Sequence, residues 1–89
     1  MKHIVKRHGS SEIYDERKLY ASVFAACIAV RVQPRVAELI SAQVAREVGV
    51  WLDKKHEVTS KDLLKQSEAS LRLLNPDAAF LYKHHGMIS

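Results

Sequence analysis

A chain of 89 residues with 47% hydrophobic and 27% charged content reads as one ordinary globular domain, residues 1–89. It is long enough to bury somewhat over 60% of the surface of its unfolded chain, which argues against intrinsic disorder. The balance of 14 Lys plus Arg against 10 Asp plus Glu gives a net charge of +4 and a pI near 9.4, which favours anionic partners without naming them.

Ile4 and Val5 open a short strand, and His8-Gly9-Ser10 supplies the glycine that a tight reversal needs. A second short strand through Ile13 and Tyr14 closes a hairpin. Asp15 then stands at an N-cap position, before a helix that begins at Glu16 and runs to about Val30. Leu19, Val23, Ala26, Cys27 and Val30 line the inner face of that helix, which Phe24 and Ile28 widen. The basic end of the first strand and the start of this helix are therefore expected to lie side by side. Cys27, the single cysteine, reads as a buried structural thiol.

Pro34 marks a boundary and suits the first turn of a second helix, from about Arg35 to Asp53. There Val36, Ile40, Val44 and Val48 recur every fourth residue, joined by Leu39, Trp51 and Leu52. Gly49 costs on the order of 1 kcal/mol relative to Ala inside a helix and marks either close packing or a bend. After the polar link Lys54-Lys55-His56, Glu57-Val58 forms a short third strand. Thr59 or Ser60 caps a third helix, with Asp62 at capping-box spacing from Thr59. Leu63, Ser67, Leu71 and Leu74 line its inner face, with Leu64 beside them. Asn75-Pro76-Asp77 starts a fourth helix that ends near Gly86, with Phe80 and Tyr82 in the core. The fold class is α+β: a β-hairpin within a three-stranded sheet, packed on a four-helix bundle.

The run His3 to Lys18, HIVKRHGSSEIYDERK, gathers the candidate chemistry. Lys6 and Arg7 offer eight N–H donors between them, Lys18 lies about one turn into the first helix, and the helix start adds partial positive charge. At about 4 Å and an effective dielectric near 20, each cation attracts a phosphate oxygen by on the order of 4 kcal/mol before desolvation. Several such contacts can hold a triphosphate; one cannot. Neighbouring strand residues point to opposite faces, so Lys6 and Arg7 share a ligand only if the strand bends or the ligand straddles its end. Taken alone, a Lys-Arg-x-Gly tip is equally at home on a solvated surface.

The pattern Ile4, Val5, Lys6, Arg7, His8, Gly9, then Tyr14, Asp15 and Lys18, resembles the ATP-cone, the regulatory nucleotide-binding module of ribonucleotide reductases and of the reductase-gene repressor. The resemblance spans nearly the whole chain, because Glu57 to Ser60 followed by an apolar helix also fits. It implies ATP or dATP as a regulatory ligand, with Mg²⁺ as an accompanying ion. By position it assigns Lys6, Arg7, Glu12, Asp15 and Lys18 to nucleotide binding, Ile4 and Leu19 to the side of the adenine, and Ser60 to completion of the pocket. His8 replaces the usual Asp or Asn of the turn, Leu64 stands where Gly or His is common, and AAFLYKHHGMIS departs from the family's aromatic, Arg-bearing last helix.

No GxxxxGK[ST] loop and no nucleophile paired with a base is present, so a sensor and not an enzyme is expected. His84 and His85 diverge by about 100° on a helix and chelate one metal poorly, so no metal site is expected. The expected partner is a regulated protein, a parent enzyme or a second copy of the chain. Two other readings stay open: a small basic nucleic-acid-binding protein, against which the scattered cations and few aromatics count, and a degenerate cone acting only through protein contacts. No apolar run approaches the roughly 20 residues of a membrane span, and MKHIVKRHG lacks the apolar stretch of a signal peptide, so a cytoplasmic protein without a membrane partner is expected.

Overall fold

The computed structural model describes residues 2–5 and 10–85. Along them run β1 (His3–Val5), β2 (Ser11–Ile13), α1 (Glu16–Ala29), α2 (Pro34–Asp53), β3 (Val58–Thr59), α3 (Ser60–Leu74) and α4 (Pro76–His85). This is the expected α+β arrangement of a three-stranded sheet and four helices. The turn at His8-Gly9 and the proposed cap at Gly86 lie outside the described residues. The boundaries move slightly: Tyr14 falls outside β2, the third strand is Val58–Thr59 and not Glu57-Val58, and α2 starts at Pro34.

The sheet order is β2-β1-β3. β1 pairs antiparallel with β2 (His3↔Ile13, Ile4↔Glu12, Val5↔Ser11) and parallel with β3 (Ile4↔Val58, Val5↔Thr59). A parallel neighbour needs a long crossover, which α1 and α2 provide. Residues directly opposite one another share a side of the sheet, so Ile4, Glu12 and Val58 face the same way. Ile4 and Val58 are buried against the helices, while all three residues of β2 are exposed. The hairpin's outer strand therefore overhangs the helical layer.

Local chemistry sets the helix ends. Asp15 caps α1 by accepting from the Arg17 backbone N–H at 2.9 Å. Thr59 and Asp62 form the expected capping box on α3, with the Asp62 N–H donating to Thr59 Oγ1 at 3.0 Å, and Asn75 Oδ1 accepts from the Ala78 N–H at 2.9 Å to start α4. α1 closes in a Schellman turn, in which the Val32 N–H donates to Cys27 O at 3.0 Å and the Arg31 N–H to Ile28 O at 2.9 Å. Arg31 carries the left-handed backbone this turn requires, at φ 69°.

The helices pack in a closed ring, α1 on α2, α2 on α3, α3 on α4 and α4 back on α1. Leu19, Val23 and Cys27 of α1, Val44 and Val48 of α2, Leu71 of α3 and Tyr82 of α4 fill the centre. Some expected core positions are outside it. Val36 and Leu39 are exposed, Leu39 at 68%, and the stripe that α2 buries is Ala37, Ser41, Val44, Ala45, Val48 and Leu52. A fixed step of four residues advances 400°, so it drifts 40° per step off a true helix face, and Val36 ends far from Val48. Ile28 and Leu74 are also exposed, and Phe80 (66%) packs its ring on His84 at the surface, 4.3 Å between centroids. A Cβ built on Gly49 would meet nothing within 4 Å, so close packing does not demand glycine there.

Candidate functional site

Two of the expected site residues, Lys6 and Arg7, lie outside the described residues. The chain that leads to them is nevertheless fixed at its start, because Val5 lies opposite Thr59, which immediately precedes Ser60 at the first turn of α3. The start of α1 is at the other end of the hairpin: Ile13 pairs with His3, and the Tyr14 N–H donates to Lys2 O at 2.8 Å. The expectation that the basic strand end lies beside the helix start rests on Lys6 and Arg7, which fall outside the described residues.

Asp15 is held ionised at the base of the hairpin: the Arg17 backbone N–H, and then the Arg17 guanidinium 3.6 Å away, lower its carboxyl below the usual carboxylate range. Glu12 stands on the inward side of the overhanging strand and is exposed. Lys18, exposed one turn into α1, donates its backbone N–H to Asp15 O at 3.1 Å. Carboxylates repel phosphates and accept from N–H and O–H groups. An acidic pair suits donor groups or a cation, and a lysine suits an anion.

The two apolar candidates belong to the closed core. Leu19 is 0% exposed and Ile4 2%. Near them two phenols are buried awkwardly. The hydroxyls of Tyr14 and Tyr82 are both shut off from solvent with no hydrogen bond of good geometry. Burial pushes Tyr14 up to about 12, with Glu16, Tyr82 and Asp15 adding to the effect. Burial also raises Tyr82, although the hydroxyls of Ser22 and Ser67 lie near enough to offset part of it. Those serines donate to their own helices, Ser22 to Leu19 O at 2.8 Å and Ser67 to Leu63 O at 2.7 Å. The sequence showed Tyr82 as core and Tyr14 as a motif aromatic; the signal available there was a phenol at positions where phenylalanine would fill the same space.

Two open clefts indent the described surface, the first of them reaching Tyr14. One, of about 770 Å³, runs between Lys2, Tyr14, Glu16 and Tyr20 and the Ala42–Asp53 stretch of α2. The other, of about 380 Å³, lies between Trp51, Lys55, Glu57 and the first turns of α3, where Lys55 Nζ sits 5.6 Å from the centroid of the Trp51 ring. Neither is lined by Ile4, Glu12, Asp15, Lys18, Leu19 or Ser60.

A thin three-stranded sheet beside a ring of four helices, with an acid-capped helix following the hairpin, is the class of fold the described residues define. A family profile described as the ATP cone domain matches residues 2–84, nearly the whole chain, and the chain belongs to that family. ATP cones are regulatory nucleotide-binding domains that take ATP or dATP. No curated protein matches the sequence. No helix among the described residues is long and apolar enough to cross a membrane.

Proposed function

We propose that this protein is a nucleotide sensor that binds ATP or dATP along β1 and passes the binding energy to a partner protein or parent enzyme. The observation that carries this reading is the family match over residues 2–84. The site is polarised. Lys6, Arg7 and Lys18 take the phosphates, while Glu12 and Asp15 accept from donor groups of the nucleoside. Ser60, in the first turn of α3, adds the partial positive charge of a capped helix start to the phosphate side.

Ile4 and Leu19 sit under the base, and because both are covered in the closed structure, contact with the base requires the sheet to lift from the helices. β2, exposed at all three residues, buries least against the helices. A ligand that binds the lifted arrangement better than the closed one shifts the population by its differential affinity and no more. That shift is the signal a partner reads. The reading includes no hydrolysis, because a sensor needs only binding.

Calorimetric titration with ATP and dATP, with and without Mg²⁺, tests the proposal, and no heat at millimolar nucleotide would overturn it. Lys6→Ala, Arg7→Lys and Lys18→Ala should each weaken ATP by roughly 1–3 kcal/mol with the fold intact, the range for hydrogen bonds to charged groups. Arg7→Lys keeps charge and loses only the planar two-donor fork. Equal ATP affinity in wild type and Lys6→Ala would place the phosphates elsewhere.

A further inference from the structure

We propose that the hydroxyls of Tyr14 and Tyr82 are ligand-binding groups that recognise the nucleoside half of the nucleotide, its base edge and ribose, and not its phosphates. The inference rests on the nucleotide-binding reading above. Both hydroxyls are buried without a hydrogen bond of good geometry, and Tyr82 as a whole is 2% exposed. A buried, unpaired O–H destabilises a fold, and native structures keep few of them. Tyr82 has the hydroxyls of Ser22 and Ser67 close by, so Tyr14 is the stronger case of the two, and a ligand group that completes both phenols accounts for their placement on separate elements.

Position supplies the reason. Tyr14 stands between Glu12 and Asp15, the two acids that suit donor groups and not phosphates, and its N–H is tied to Lys2 at the base of the hairpin. Tyr82 belongs to the same packed cluster as Ile4 and Leu19, and Tyr14 packs against that cluster. The two phenols are near enough for the charge of one to oppose that of the other. Both keep their protons at neutral pH, Tyr14 with a pKa of about 12, so each offers one donor and one acceptor. Adenine and ribose present that mixture of neutral donors and acceptors; a triphosphate presents acceptors only. A pocket that opens when the sheet lifts would bring a nucleoside to hydroxyls already desolvated, and a ligand lacking the matching groups would leave them unpaired. Sites built this way discriminate strongly.

The test uses wild type, Tyr14→Phe and Tyr82→Phe, measuring the unliganded Tm and titrating each with ATP and with inorganic tripolyphosphate. Each Phe variant should gain a few degrees in Tm, because the ring refills its space without an unpaired polar atom. Each should bind ATP about tenfold more weakly, the loss expected for one neutral hydrogen bond, with tripolyphosphate binding unchanged. Unchanged ATP affinity in both variants, beside a wild type that binds ATP, overturns this assignment and leaves the nucleotide reading standing. Equal weakening of ATP and tripolyphosphate overturns it too, by placing the hydroxyls on the phosphates. A lower Tm with ATP affinity unchanged would reveal structural hydrogen bonds and sink it. A wild type that binds neither ligand overturns both readings together.

Discussion

At Leu19 the packing role is fixed by burial, whatever else the side chain does. Its 0% exposure places it in the centre of the bundle, so Leu19→Ala should destabilise the fold by about 2–5 kcal/mol, the lost transfer energy plus the cavity left behind. Urea unfolding measures this, and a change below about 1 kcal/mol would mean that the site collapses around the smaller residue. Leu19→Met, which conserves volume, is the variant for asking about base contact. Gly49 is the reverse case. Its missing Cβ would touch nothing, so Gly49→Ala should stabilise by about 1 kcal/mol through helix propensity alone. Tyr14 sets an alkaline limit. Its folded pKa of about 12 exceeds the ordinary 10, so its titration leaves stability untouched below pH 10 and lowers it as pH rises from 10 towards 12. Tyr14→Phe should flatten the stability profile across that window, and an unchanged alkaline limb would assign the loss to another group.

Among the elements, the helices whose ends carry side-chain caps were the most legible. Asp15, Thr59 with Asp62, and Asn75 each announce a helix start in the sequence and perform that role in the fold. The end of α1 was less legible, because its Schellman turn uses Arg31 where glycine is the usual residue. An arginine at φ 69° carries a steric cost that glycine avoids, so Arg31→Gly should stabilise by about 1 kcal/mol. A loss on thermal melting would show instead that the Arg31 side chain holds α1 in place. The face of α2 was misjudged for a different reason. Apolar residues stand on two sides of that helix, and the small residues Ala37, Ser41 and Ala45 that it buries carry little hydrophobic signal. Burial of small residues follows from how closely two helices approach, which one sequence does not state.

For the molecule as a whole, the motif residues of the candidate site could be read from the chain, but its closure could not. Nothing local in Ile4 or Leu19 says that both are covered, because covering depends on the β1–β3 pairing between residues more than 50 positions apart. Closure has a thermodynamic consequence. If the unliganded domain is mostly closed, ATP must offset the opening, and its apparent affinity falls by the fraction of molecules that are open. Binding still stabilises the folded state by RT ln(1 + [L]/Kd) with that apparent Kd, about 2.7 kcal/mol at a hundredfold excess. For a domain of this size 1 kcal/mol moves Tm by roughly 4–8 °C, so saturating ATP should raise Tm by on the order of 10 °C. The same opening predicts a distinct kinetic outcome. Variants that loosen the sheet without touching the ligand, such as Val58→Ala beneath the Ile4–Val58 pair, should lower the unliganded Tm yet bind ATP faster, because more molecules are already open. Stopped-flow association on wild type and Val58→Ala measures this, and an unchanged or slower on-rate in the loosened variant would mean that the base does not enter beneath the sheet.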